Sequence, residues 1–279
     1  MSSAVLRDFE FDVSTPSSDI AGAYATYGVV IVKNCLPQEL VRPVQELLRV
    51  TLVDVENLAR DLGIARPLAE SGPAIAKLFN ESMSLSKDQR HLLLGHFPLQ
   101  VRLSEPLKQL PIALRRLAFV RELMGSQTLF AHLPINARYI LPNQTYSAVP
   151  THQDTSYNRH MKQFCIIWTP FCEIDAECCG MAVYPKTHVL GELAPIAADR
   201  PATHEGWIPP IDMGDAKAIP VEPLSPGDII IFSDTLVHES VPNRSNRIRL
   251  NAEMRLFGSS QHTTKHCMDL QSGRVLEPA

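Results

Sequence analysis

Leucine and valine recur at intervals of three and four residues over 37–62, after Pro37, which predicts a helix with one buried face. The same period returns more briefly over 84–95 and 105–125 and predicts two or three further helices. From Leu129 onward the pattern changes to short apolar runs broken by Pro, Asn and Gly, the pattern of a β-sandwich or barrel. Strands are expected over 135–140, from Ile229 towards His238 after the turn Pro226-Gly227-Asp228, and over 248–257. The stretch 191–220 is punctuated by Pro195, Pro201, Pro209, Pro210 and Pro220 and has little periodicity; an irregular loop of that length inside a domain reads as a lid, with Trp207 near its middle. Residues 80–104, including His96, Gln100 and Arg102, are expected to form a second wall.

Composition narrows the class without naming it. A chain of 279 residues, 45% hydrophobic, is long enough for a substantial core, and no repeat, low-complexity tract or linker divides it. A net charge of −4 supplies no basic field for nucleic acid or an anionic membrane surface. Neither a secretory segment over residues 1–12 nor a long apolar span is present, so a cytoplasmic protein is expected, monomeric or homodimeric. The cysteines at 35, 165, 172, 178, 179 and 267 form no Cys-x-x-Cys pair, which argues for reduced thiols rather than a zinc site.

Candidate chemistry centres on His152, Asp154 and His238. In an extended segment residues i and i+2 project to the same side, so His152 and Asp154 can share one ion while Gln153 points away. The buried run expected after Pro226 delivers His238. Two imidazoles and a carboxylate on one face of a metal leave its other face open, as in non-haem iron(II) oxygenases. Arg249, on the next expected strand, suits a dicarboxylate co-substrate, because guanidinium grips carboxylate through two parallel hydrogen bonds. Arg247 has the same parity and is the alternative anchor. Asn136 and Arg138 share a face of the strand over 135–140 and suit either a carboxylate or a structural ion pair. Trp168 reads equally as a core aromatic or a pocket wall. The remaining histidines, His91, His96, His132, His160, His188, His204, His262 and His266, are read as hydrogen-bonded structural residues.

Several ordered motifs carry a resemblance. His152-Gln153-Asp154, then Trp168 in Cys165-Ile166-Ile167-Trp168-Thr169-Pro170, then Gly180-Met181-Ala182-Val183-Tyr184-Pro185-Lys186-Thr187-His188, then Gly227-Asp228, His238, Asn243-Arg244-Ser245 and Arg249 together resemble the phytanoyl-CoA dioxygenase family of iron(II)- and 2-oxoglutarate-dependent oxygenases. The likeness runs from about Tyr24 to Phe257, and Tyr27-Gly28-Val29-Val30-Ile31-Val32 resembles the family's first strand.

The resemblance implies a mainly β fold with helices: a double-stranded β-helix (jelly roll, cupin-like) behind an N-terminal helical layer. It is expected as a single domain over 1–279, with a helical part over about 1–128, a jelly-roll core over about 129–258 and a C-terminal tail over 259–279. It implies that His152, Asp154 and His238 bind iron, that Arg249 pairs with the far carboxylate of 2-oxoglutarate, that Ser240 sits near that carboxylate and that Trp168 borders the pocket. The implied reaction couples O2 and oxidative decarboxylation of 2-oxoglutarate to oxidation of an unactivated C–H bond, with succinate and carbon dioxide as co-products. The family's halogenases lack the carboxylate ligand, and Asp154 is present here. Family substrates are diverse, and the absence of a Lys/Arg cluster around the expected lid favours a small metabolite over a CoA thioester. Two alternatives stand beside this reading: a 2-oxoglutarate-independent jelly-roll metalloenzyme, and a non-catalytic sensor that holds metal and 2-oxoglutarate.

Overall fold

The computed structural model describes residues 5–80, 85–144, 149–161, 163–178, 180–193, 216–258 and 264–278. Strand β1 (Glu10–Asp12) precedes helix α1 (Ser17–Tyr27), whose single buried side chain, Ile20, leaves no amphipathic stripe to read in the sequence. Gly28 ends α1 with φ 74°, a left-handed conformation that costs glycine little, and the His188 ring lies where a Cβ would project. Strand β2 (Val29–Lys33) follows directly. The helix expected over 37–62 is α2 (Gln38–Asp61), which buries Val41, Val44, Leu48, Thr51, Val55 and Ala59 at the spacing of one helical face.

Short helices continue the N-terminal layer: α3 (Gly72–Asn80), α4 (Lys87–Leu93), α5 (Leu99–Arg102), α6 (Glu105–Leu114) and α7 (Ala118–Leu123). Ser86 caps α4, accepting from Gln89 N at 3.2 Å while Gln89 Oε1 accepts from Ser86 N at 2.9 Å, so two orphan donors are satisfied reciprocally. The helical pattern expected over 105–125 is broken into α6 and α7 by a turn at residues 115–117.

Among the described residues ten strands follow: β3 (Leu129–His132), β4 (Asn136–Ile140), β5 (Phe164–Pro170), β6 (Met181–Val183), β7 (Ile219–Pro220), β8 (Ile229–Ser233), β9 (His238–Ser240), β10 (Arg249–Gly258), β11 (Cys267–Asp269) and β12 (Val275–Leu276). The large sheet runs β1-β2-β8-β5-β10-β3-β11-β12, and β4 pairs with β10 beyond the end of β3. A small sheet, β7-β6-β9, faces it. Strands from both ends of the chain enter the large sheet: β1 and β2 come from the mainly helical N-terminal part, and β11 pairs with β3 from within the segment expected as a tail.

Parity along the strands sorts side chains between two cores. Cys165 and Ile167 of β5, with Ile229 and Ile231 of β8, join Leu48, Leu107 and Leu110 in an apolar layer between sheet and helices. Ile166, Trp168, Ile230 and Phe232 point the other way and pack with Met181 and Val183 of the small sheet. Burial on both faces explains why β8 reads as an unbroken run, Ile-Ile-Ile-Phe, rather than an alternating one. Each such side chain contributes about 1.5–3 kcal/mol relative to an exposed one. The fold is a jelly roll with the helical layer on its outer face, and the space between the two sheets holds the site. Among the described residues no helix is long and apolar enough to cross a membrane.

Candidate metal centre

Two backbone hydrogen bonds join the halves of the site. His152 N donates to His238 O at 2.9 Å and His238 N donates to His152 O at 3.0 Å, an antiparallel pair that puts both side chains on one face. Their ring centroids lie 4.1 Å apart. Each ring turns its Nδ1 to a nearby carbonyl, His152 to Pro150 O at 2.7 Å and His238 to Leu236 O at 3.0 Å. Carbonyls only accept, so these contacts assign the proton to Nδ1 and leave both Nε2 lone pairs for a metal. Burial, with His238 close by, pushes His152 down to about 3, so the ring is neutral, as a ligand must be.

Asp154 completes the set, and all three residues are buried. Gln153 is extended, as expected, but Asp154 begins a single 3-10 turn (Asp154–Ser156) instead of extending a strand. That turn bends the carboxylate back to the imidazoles. The ligand atoms of His152, Asp154 and His238 lie within 4.8 Å of one another, and Asp154 Oδ2 is 3.5 Å from His238 Nε2. The two carboxylate oxygens have different tasks. Oδ1 accepts from Arg255 Nη2 at 2.9 Å and from Asn158 Nδ2 at 3.3 Å, whereas Oδ2 is buried without a hydrogen-bond partner among the described residues. A buried carboxylate oxygen lacking a donor, beside two imidazole nitrogens freed by their tautomers, fits a divalent cation. Burial alone would raise the Asp154 pKa, but Arg255 and the imidazoles hold it below the usual carboxylate range. Gln153 points away and ties the start of the proline-rich stretch, donating to Gly191 O at 2.8 Å and Thr235 O at 2.6 Å and accepting from Leu193 N at 2.8 Å. Trp207 and residues 194–215 lie outside the described residues, so the expected lid is represented only by its two ends.

The inner face of the large sheet brings the other expected residues between the sheets. On β10 that face carries Arg249, Asn251, Glu253 and Arg255. Its antiparallel register sets Asn136 against Glu253 and Arg138 against Asn251 on β4, with Trp168 against Glu253 on β5. Arg249 is buried, and its Nη1 donates to Gly180 O at 2.7 Å and Val241 O at 3.2 Å. Trp168 closes over the same glycine, where a Cβ would come within 2.8 Å of the indole. Ser240 has the parity of His238 on β9, while Glu239, of opposite parity, accepts from Thr151 Oγ1 at 2.9 Å. Arg247 lies outside the site, before β10 begins, and makes an exposed ion pair with Asp175 at 2.5 Å. Burial pushes Arg138 down to about 10, and Glu253 opposes that shift.

The expected second wall is realised in part. Arg102 Nε donates to Ile135 O at 3.0 Å, and His96 forms a backbone bridge to Arg138, whereas Gln100 is exposed. Sequence reasoning missed Arg255, Glu253 and Asn158 as supports of the carboxylate. The shared parity of Arg249 and Arg255 was the available signal for the first of these.

This fold and this three-ligand set define the class: a jelly-roll metalloenzyme with the two-histidine, one-carboxylate ligand set of non-haem iron(II) oxygenases. Residues 24–251 match the family described as Phytanoyl-CoA dioxygenase (PhyH), and the chain belongs to that family. It is 22% identical to the 1-deoxypentalenic acid 11-beta-hydroxylase of Streptomyces arenae over 245 residues, covering 86% of this chain and 80% of that one. Among solved structures it resembles the epimerase SnoN in complex with Fe3+, alpha ketoglutarate and nogalamycin RO, with a TM-score of 0.57 at 17% identity over 88% of this chain and 85% of that one. EvdO2 from Micromonospora carbonacea var. aurantiaca, complexed with 2-oxoglutarate, gives a TM-score of 0.56 at 17% identity over 87% of this chain and 91% of that one.

Proposed function

We propose that this enzyme is an iron(II)- and 2-oxoglutarate-dependent dioxygenase that hydroxylates, or otherwise oxidises, an unactivated C–H bond of a small natural-product intermediate, with succinate and carbon dioxide as co-products. The observation that carries the reading is Asp154 Oδ2, buried without a donor beside two imidazoles whose Nδ1 atoms are already engaged. A relative named as a 1-deoxypentalenic acid 11-beta-hydroxylase and a structural neighbour described as an epimerase in complex with nogalamycin RO support the small-molecule class. A net charge of −4 supports the absence of a nucleic-acid partner.

In this reading His152 Nε2, His238 Nε2 and Asp154 Oδ2 hold the metal. Bound iron(II) supplies the activation of dioxygen coupled to loss of the 2-oxoglutarate carboxyl group. The protein's own residues supply position and exclusion of water. Arg249, fixed by two carbonyls, meets the far carboxylate of 2-oxoglutarate, with Ser240 of β9, in the facing sheet, next in sequence to the Val241 carbonyl that holds the guanidinium. Trp168 shields that carboxylate from solvent, and Asn136 and Arg138 face the near carboxylate or the substrate. Arg255 and Asn158 occupy Oδ1 of Asp154, so the carboxylate offers the metal one oxygen in a fixed direction. The chain acts as one domain, because strands from both ends complete the sheet that carries Arg249. The test is succinate release from 2-oxoglutarate, iron(II) and dioxygen, stimulated by a member of a natural-product panel in wild type. Panel-independent absence of succinate, in protein that binds neither metal nor 2-oxoglutarate, would overturn the proposal.

A further inference from the structure

We infer that the Arg255 end of β10 is a docking site for an acidic group on the substrate, built from His132, His160 and Arg255 with Arg102 nearby. The inference rests on the dioxygenase reading of the adjoining centre and adds the substrate's chemical class to it.

The antiparallel register of β3 on β10 pairs Ala131 with Leu256, and its continuation brings His132 beside Arg255 on the inner face. His132 is only 9% exposed, and its Nε2 is buried without a hydrogen-bond partner among the described residues. The His160 ring lies 5.0 Å from that of His132, and its Nε2 is also buried without a partner. The third such group is Nε of Arg255. Among the described residues, then, three buried nitrogens on neighbouring side chains have no partner, a costly arrangement unless a ligand supplies one. The guanidinium Nε–H is always a donor, and Nε2 of each imidazole donates when it carries the ring proton, so one acceptor group can satisfy all three.

The surroundings specify an anion. Burial, then Arg255, His160, Lys265 and Arg102, push His132 down to about 3, so the charged groups that act on it are basic. The acids nearest to Arg255, Asp154 and Glu253, are both engaged by its Nη2, which leaves its Nε direction to another acceptor. A carboxylate presents up to four lone pairs and suits several donors on neighbouring side chains.

This anion is not the far carboxylate of 2-oxoglutarate. Arg249 and Arg255 lie six residues apart on one strand, so their Cα atoms are separated by roughly 20 Å at ~3.3 Å per residue. A five-carbon dicarboxylate spans roughly 6 Å at carbon–carbon bond lengths near 1.5 Å. With the co-substrate held at the Arg249 end, the donors at the Arg255 end are left for a second acid. The substrate then enters with its acidic group at His132 and His160, which fixes the orientation of its apolar body relative to the centre.

The test uses the full chain loaded with Mn(II) and 2-oxoglutarate, with benzoate, decanoate and adamantane-1-carboxylate as probes and their methyl esters as uncharged controls. By calorimetry at least one acid should bind about tenfold or more tightly than its ester. His132→Ala/His160→Ala should reduce that preference to less than about threefold, while Mn(II) and 2-oxoglutarate affinities stay within about twofold. His160→Ala alone, at the less buried position, should reduce it in part and guards against a folding defect in the double variant. Equal binding of acids and esters, no acid binding at all, or a preference that survives both substitutions would overturn the inference. Failure of Mn(II) or 2-oxoglutarate to bind wild type would instead count against the dioxygenase reading.

Discussion

Arg255 Nη2 lies 2.9 Å from Oδ1 of Asp154, and the same nitrogen bonds Glu253, so the carboxylate proposed as a metal ligand is steered by a cation that is itself held. Removing the cation frees Oδ1 to rotate and leaves two carboxylates facing each other. Arg255→Gln should weaken Mn(II) binding by about 10–100-fold, the usual cost of losing such an outer support. Calorimetric titration measures it, and Arg255→Lys should recover part of the loss. Unchanged affinity would remove Arg255 from the support of Asp154.

Arg249→Ala should raise the 2-oxoglutarate KM strongly, because a buried charge pair that loses one partner costs about 2–5 kcal/mol. Arg247→Ala should change it little, since its ion pair with Asp175 is solvent-exposed and worth about 0–1 kcal/mol. Steady-state kinetics on the two variants checks the choice of anchor. The reverse outcome would assign the role to Arg247.

Gly180→Ala brings a Cβ to within 2.8 Å of the Trp168 indole, beside the carbonyl that fixes Arg249. Overpacking of this kind costs about 1–3 kcal/mol. A lower melting temperature, a shifted tryptophan emission and a raised 2-oxoglutarate KM should appear together. Loss of stability with an unchanged KM would separate Trp168 from the co-substrate pocket.

His96 gives an acid-sensitivity prediction. Burial first, then Arg138 and Arg102, depress its pKa to about 2, below the unfolded value of 6.5. Below pH 6.5 the unfolded chain therefore binds a proton that the folded chain refuses. The stability tied to His96 is complete above that pH and is lost as pH falls, by up to about 1.4 kcal/mol per unit. Melting temperatures between pH 7.5 and 5 should fall less steeply in His96→Gln than in wild type. Parallel slopes would contradict the assignment.

The parts of the site legible in the sequence were those set by local geometry. His152 and Asp154 are two residues apart on one bend, and His238 follows a turn and a buried run whose composition announces a strand. The supports were not legible, because they depend on distant backbone. The Pro150 and Leu236 carbonyls fix the histidine tautomers only because of where the chain bends. Arg255 was visible by parity with Arg249, but its partner Asp154 lies on a different element. Short elements escaped for a different reason: β1, β11 and β12 have two or three residues each, too few to show a period, and residues 267–276 join the sheet through pairing with β3 that no local pattern encodes. His132 and His160 carry no binding pattern in the sequence, because their neighbours come together only across β3 and β10.

The most direct test of the central claim is release of carbon dioxide from carboxyl-labelled 2-oxoglutarate, in the presence of iron(II), dioxygen and a stimulating substrate from the panel. Wild type should release label in equal amount with succinate, and His152→Ala, Asp154→Ala and His238→Ala should each release none while keeping a wild-type circular dichroism spectrum. Release that persists in His238→Ala, or substrate oxidation by wild type that proceeds without 2-oxoglutarate, would contradict the account.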